Sequence, residues 1–125
     1  MGFAFQKYWF HIQVLTASIS MKIYNITFIV EPTIEQEWAT YVDKELLPEL
    51  AQSVQQIDLL RVEFEDGIEP VKGTTFSVQF YCSEPEHLTW VKEIGHQLAV
   101  QKLYRLFPKD WVAFASRLEF FKSYS

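Results

Sequence analysis

Apolar residues alternate with others between Lys22 and Val30, and four of them share one parity: Tyr24, Ile26, Phe28 and Val30. This alternation predicts a strand with one buried face. After Glu31 and Pro32 the apolar residues recur every four positions, which predicts a helix with one buried stripe, made of Ile34, Trp38, Val42, Leu46 and Leu50. Thr33 and Gln36 have capping-box spacing, so the helix should start there, and Pro48 should bend or end it.

The second half of the chain repeats this order. Residues 57–64 and 73–82 predict two strands of an antiparallel hairpin, joined by the acidic loop 65–72. Ser83 as N-cap and Glu86 at the capping-box position predict a second helix from about Glu84 to Phe107, which Pro108 closes. Its inward stripe is expected to contain Leu88, Val91, Ile94, Leu98, Leu103 and Phe107. Residues 111–121 then supply the last strand.

The element order β-α-β-β-α-β is that of a split β-α-β duplication, and Thr33 and Ser83 lie at equivalent points of its halves. Right-handed crossovers place the strands in the order 4-1-3-2, all antiparallel, with both helices on one face. We therefore predict an α+β protein with a ferredoxin-like sandwich.

Parity divides the predicted sheet into two faces. The helix side should hold Tyr24, Ile26, Phe28, Leu60, Val62, Phe64, Phe76, Val78, Phe80, Val112, Phe114, Leu118 and Phe120. The uncovered side should hold Ile23, Asn25, Thr27, Ile29, Ile57, Leu59, Arg61, Glu63, Thr75, Ser77, Gln79, Tyr81, Trp111, Arg117, Glu119 and Phe121. This second face is too apolar for a solvated surface and too polar for a dry core. Its mixture predicts a homodimer through the open sheet face.

Composition restricts the class of protein. The 125 residues are 49% hydrophobic and 22% charged, which indicates one globular domain. Eleven Lys and Arg against sixteen Asp and Glu give a net charge of -5, so bulk electrostatics attract neither nucleic acid nor an anionic membrane, and we expect neither partner. The single cysteine, Cys82, excludes an internal disulfide and favours a cytoplasmic location.

The first twenty residues differ from the rest, with five aromatic residues and one charge, Lys7. Three interpretations stay open: an extension or mis-assigned start before Met21, an ordered extra element, and a secretion signal. The interruption of the apolar run by polar residues favours the first, and the run is too short and polar to cross a bilayer. We therefore divide the chain into an extension, residues 1–20, and a domain, residues 21–122.

Several segments carry a resemblance to a known family: MKIYNITFIV, the helix with Trp38 and LPEL, the pattern FSVQF, and the ending RLFPKDWVAFASRLEFF. The chain resembles a bacterial domain-of-unknown-function family related to the dimeric α/β-barrel superfamily. The resemblance implies a homodimer whose sheets face each other as a barrel. For enzyme relatives it implies a cavity between sheet and helices, and these relatives include cofactor-free oxygenases, haem-degrading enzymes and lactone isomerases. Many such chains carry a histidine two residues before the helix proline, where this chain has Leu46.

Five polar residues are candidates for binding a ligand: Asn25, Arg61, Gln79, Tyr81 and Arg117. The two arginines suit an acidic ligand, although each has a carboxylate two residues on, Glu63 or Glu119, with which an ion pair explains it equally well. The other three suit a polar pocket or a satisfied interface.

Metal and cofactor chemistry find little support in the sequence. His87 and His96 are nine residues apart, unlike a helical metal pair, and are expected on the surface or in packing roles. The acidic residues Glu63, Glu65, Asp66 and Glu69 lack EF-hand spacing and read as a solvated loop. We assign no catalytic residue, no metal and no cofactor.

These observations predict a cytoplasmic homodimeric module that binds a small molecule or a protein partner without catalysis. The alternative is a cofactor-free oxygenase, an isomerase or a haem-using enzyme of the dimeric α/β-barrel type. A structural or regulatory interaction module is a third interpretation.

Overall fold

A computed structural model of the chain describes residues 21–65 and 72–124. The predictions for the extension, Asp66 and Glu69 lie outside these residues. Four strands are present: β1 (Lys22–Val30), β2 (Gln56–Arg61), β3 (Thr74–Cys82) and β4 (Trp111–Glu119). Helix α1 covers residues 35–50 and helix α2 covers residues 85–106.

The sheet has the strand order β2-β3-β1-β4, and every neighbouring pair is antiparallel. This is the predicted order read from the other edge, so the ferredoxin-like β-α-β-β-α-β fold is confirmed. The two central strands, β1 and β3, pair along their full lengths from Lys22 with Cys82 to Val30 with Thr74.

The core lies between the helices and one face of the sheet. From the central strands it takes the parity of Ile26 and Val78, and from the helices the stripe that contains Trp38 and Leu103. The Trp38 ring is fully buried, 5.1 Å from the Phe28 ring and 5.0 Å from the Phe76 ring between centroids. Cys82 is buried as expected, and burial raises the pKa of its thiol.

Both helices contain a widened turn. The α-helical segments Glu35–Tyr41 and Leu47–Leu50 are joined by the π-helical segment Val42–Leu46, and Pro85–Trp90 and His96–Leu106 by Val91–Gly95. Pro48 does not end α1, because the helix widens just before it and continues to Leu50. Gly95 lies under the Trp90 ring, where a Cβ would come within 2.6 Å of a ring carbon.

The two predicted capping interactions are absent from the structure. The N-cap residues are Ile34 and Glu84, one position after the predicted Thr33 and Ser83, and neither makes a side-chain cap hydrogen bond. Ser83 instead donates a hydrogen bond to the side-chain oxygen of Gln55. The start positions were therefore correct to within one residue, but the mechanism of capping was wrong.

The predicted parity of both edge strands was also wrong. Trp111 pairs with Val30 and is buried in the core, whereas Val112 and Phe114 point away from the helices and are 59% and 54% exposed. In β2, Ile57 and Leu59 lie on the helix side, opposite the core residues Phe80 and Val78 of β3, and Leu60 lies on the other side. Apolar residues occupy both parities of these strands, so alternation alone does not decide which set is covered.

Candidate functional site

The side of the sheet away from the helices, here called the open face, contains four residues from each strand. They are Gln56, Asp58, Leu60 and Val62, Thr75, Ser77, Gln79 and Tyr81, Ile23, Asn25, Thr27 and Ile29, and Val112, Phe114, Ser116 and Leu118. The register places Asp58, Gln79, Asn25 and Ser116 in one row across all four strands. The open face therefore has a polar band that crosses the sheet.

Hydrogen bonds connect the side chains of this band. The Asn25 amide nitrogen donates to Thr27 Oγ1 at 2.8 Å and lies 3.4 Å from Ser116 Oγ, while its amide oxygen accepts from Ser77. Asn25 and Ser77 are buried although the helices lie on the opposite face, because their neighbours on the sheet crowd over them. The centre of the band is thus held in one arrangement.

Tyr81 continues the network towards β2. Its hydroxyl donates to Gln79 Oε1 at 3.2 Å. Burial, and after it the nearby Asp58 carboxylate, raise the pKa of Tyr81, so the phenol stays protonated. Asp58 is the single charged residue of the open face. Three of the five predicted ligand-binding residues, Asn25, Gln79 and Tyr81, are therefore brought together.

The structure places Arg61 and Arg117 away from these three residues. Both lie on the helix side of the sheet, Arg61 opposite Phe76 on β2 and Arg117 opposite Tyr24 on β4, at the two outer edges. Arg61 Nη2 is 3.9 Å from Glu63 Oε1, which agrees with the ion-pair interpretation for an exposed pair. Glu119 pairs instead with Lys22, at 2.9 Å. The predicted grouping of all five residues in one face was wrong.

A second polar group, which the sequence analysis did not identify as a site, lies where α2 covers the sheet. The Tyr24 hydroxyl is 2.9 Å from His96 Nδ1, and the two rings meet edge to face at 5.9 Å. Burial lowers the pKa of His96, and it raises the pKa of Tyr24 against a smaller opposing effect of Arg117. Both side chains are therefore neutral at pH 7, and the phenol donates to the imidazole.

The signal for this pair was present but obscured. The buried stripe of α2 is Val91, Gly95, Ala99, Leu103 and Phe107, whereas the predicted member Ile94 is 52% exposed. The widened turn at Val91–Gly95 shifts the stripe by one residue, and His96 then reaches the sheet beside Gly95.

Two surface depressions are defined by the described residues. One of about 290 Å³ lies at the end of the sheet, lined by Ile29, Glu31, Lys72, Asp110, Trp111 and Val112. Another of about 560 Å³ follows the outer side of α1, lined by Gln36, Glu37, Thr40, Tyr41, Lys44 and Glu45. Within residues 21–65 and 72–124, no three His, Cys, Asp or Glu side chains are grouped to hold a metal ion. No helix of this part of the chain has the length and hydropathy to cross a bilayer.

Solved structures with the same fold come from several organisms. An EthD-family protein from Bacillus halodurans has a TM-score of 0.55 and 10% identity, over 76% of this chain and 96% of that one. A conserved protein from Bacteroides thetaiotaomicron, described as a possible oxidoreductase, has a TM-score of 0.54 and 13% identity, over 82% and 99% of the chains. A dimeric ferredoxin-like protein of unknown function from Bacteroides fragilis has a TM-score of 0.50 and 13% identity, over 81% and 97%. At such identities these similarities show the fold alone.

The sequence comparisons agree with the resemblance noted above. No curated protein matches the chain. The family model that matches is that of DUF4286, a domain of unknown function, and the match covers residues 21–121. The chain belongs to the DUF4286 family.

Proposed function

We propose that this protein is a homodimeric module that associates through the open face and binds a small molecule or a partner without catalysis. The observation that carries the proposal is the apolar character of the uncovered side of the edge strands. Leu60, Val112, Phe114 and Leu118 are each 44% exposed or more in the single chain. Apolar side chains grouped in this way mark an interaction surface.

The charge distribution supports the same surface. Of the sixteen positions of the open face, only Asp58 is charged, although 22% of all residues are. Depletion of charge is a feature of the buried centre of protein interfaces. A two-fold pairing would bring the neutral polar side chains of β1 and β3 against their counterparts, where amides and hydroxyls can pair with each other.

A second copy of this chain is the occupant that we propose. The Bacteroides fragilis protein of similar fold is described as dimeric, which favours self-association over another partner for a face of this architecture. Two such sheets facing each other would enclose the polar band, and its Asn25, Gln79 and Tyr81 would line the enclosed space. The proposed small polar ligand would bind there. The cytoplasmic location expected from the lone cysteine belongs to the same proposal.

Sedimentation velocity on two variants of neighbouring residues tests the association. Phe114 lies on the open face and Ala115 on the helix side of the same strand, and both are exposed in the single chain. We expect a dimer for the wild type and for Ala115→Glu, and a folded monomer for Phe114→Glu, because only Phe114 places the new charge in the interface. A monomeric wild type at micromolar concentration, or a dimeric Phe114→Glu, would reject the proposed surface. Circular dichroism confirms that each variant is folded.

The hydrogen bond between Tyr24 and His96 favours one alternative, an enzyme of the dimeric α/β-barrel type. A neutral imidazole fixed by a phenol is a group that such chemistry could use for proton transfer. The enzyme class is an oxygenase, an isomerase or a haem-using enzyme, as the resemblance implies. Turnover of a substrate that is lost in His96→Gln would replace the noncatalytic proposal.

A further inference from the structure

We propose a binding site for a small organic monoanion, such as an aromatic carboxylate, on the helix side of β4, formed by Arg117, His96 and the helix-facing alanines of the strand. The site lies on the opposite side of the sheet from the open face. It therefore does not depend on the proposed association.

The helices leave this part of the sheet uncovered. On the helix side of β4, Trp111 is buried and Ala113 half-buried, but Ala115 and Arg117 are exposed. The floor beside α2 thus consists of two methyl groups, about 7 Å apart along the strand, with a guanidinium at one end. A flat apolar group the size of one ring fits over such a floor, with its charged substituent towards Arg117.

The charges around Arg117 leave one positive charge without a partner. Lys22 and Glu119, the next residues in the same face, neutralise each other in an ion pair of 2.9 Å. Arg117 makes no ion pair within the part of the chain that the structure describes. The net charge of this cluster is therefore +1, although the whole chain carries -5. A guanidinium binds a carboxylate through two parallel hydrogen bonds, so the charge and the geometry both fit a monoanion.

His96 supplies a second, uncharged donor. Tyr24 lies directly opposite Arg117 in the β1–β4 pairing, and its hydroxyl donates to His96 Nδ1. Because Nδ1 of a neutral imidazole is then the acceptor, the ring proton is on Nε2. Nε2 has no hydrogen-bond partner among the described residues. Tyr24 is a positioning residue, since it fixes the tautomer and the orientation of the ring, while His96 and Arg117 would contact the ligand.

Titration with benzoate, followed by the imidazole nitrogen resonances of His96 in nuclear magnetic resonance spectra, tests this site. We expect a saturable shift for benzoate. The neutral isostere benzamide should bind about tenfold more weakly, the order expected for the loss of a charge-assisted hydrogen bond. Inorganic phosphate should also bind weakly, because a dianion meets only one unpaired positive charge. No saturable shift, or equal affinity for benzoate and benzamide, would overturn the proposal.

Matched arginine variants locate the site. Arg117→Gln should weaken benzoate binding at least about tenfold, whereas Arg61→Gln, an exposed arginine on the same side of the sheet at the other edge, should bind as the wild type does. Tyr24→Phe should alter the tautomer ratio of His96, seen in its nitrogen shifts, and reduce the affinity. Unchanged binding in Arg117→Gln would contradict the site. Because the groups lie on the helix side, benzoate should bind Phe114→Glu as well, so a failure of the dimer proposal and a failure of this one are distinguishable.

Discussion

His96 combines a polar ring with a position at the edge of the core, and the cost of charging it should appear in the stability of the domain. Burial lowers the pKa of His96 below its ordinary value of 6.5, and no carboxylate contributes to this shift. The groups that face the ring are the Tyr24 phenol, which is neutral, and the Arg117 guanidinium, which is positive. Neither of them stabilises an imidazolium ion.

The sign of the pH dependence follows from this shift. Below a pH of about 6.5 the unfolded chain takes up a proton at His96 more readily than the folded chain does, so the stability is complete above that pH and falls as the pH decreases towards the folded pKa. We expect the wild type to lose more free energy of unfolding than His96→Gln between about pH 7.5 and about pH 5, as measured by urea unfolding. Carboxylates titrate in both proteins and cancel in the difference. An equal loss in the two proteins would contradict the burial of this ring.

Strand β2 offers a test of orientation at the level of an element, because Leu59 and Leu60 are neighbours on opposite faces. Leu59 is partly buried under the helices, whereas Leu60 is exposed on the open face. Leu59→Asp should lower the stability by about 2 to 3 kcal/mol, since it brings a carboxylate into the core. Leu60→Asp should leave the folded chain nearly as stable and weaken its association instead. Urea unfolding and sedimentation, measured on both variants, separate the two effects, and reversed results would restore the parity expected from the sequence.

The sequence was sufficient for the element order and the sheet topology, because the central strands have one strongly apolar parity each. It was not sufficient for the edges. In β4 the larger apolar side chains, Val112, Phe114 and Leu118, lie on the uncovered face, while the core receives Trp111 and then alanines. Alternation cannot distinguish a face covered by helices from one covered by another molecule. The candidate site was therefore only half correct, with three residues grouped and two arginines on the wrong side.

The widened turns have a visible origin in the spacing of apolar residues. In an ideal α-helix, residues four apart drift by about 40° around the axis, so a strict four-residue stripe winds off one face. The stripes Trp38, Val42, Leu46, Leu50 and Val91, Gly95, Ala99, Leu103 both keep this strict spacing and are buried throughout. A π-helical segment in each helix takes up the drift. An unbroken period of four was therefore a readable signal for the wide turns.

For the molecule as a whole, β4 should be the strand most sensitive to association. It is an edge strand, and only Trp111 among its residues is buried in the single chain. Local opening of such a strand costs little, so its amides should exchange with deuterium faster than those of β1 in a monomer. We expect Phe114→Glu to exchange rapidly in β4 and the dimeric Ala115→Glu to be protected there. Equal protection in both variants would mean that the open face is not covered in solution.

During synthesis, β1 leaves the ribosome before the three other strands, yet it ends between β3 and β4 in the completed sheet. Its two neighbours are made after about fifty and about ninety further residues. Until then both edges of an apolar strand lack hydrogen-bond partners, the state in which chains aggregate most readily. The nascent protein therefore depends on its last strand to close the edge that its first strand exposes, and a chain interrupted before Trp111 would keep that edge open.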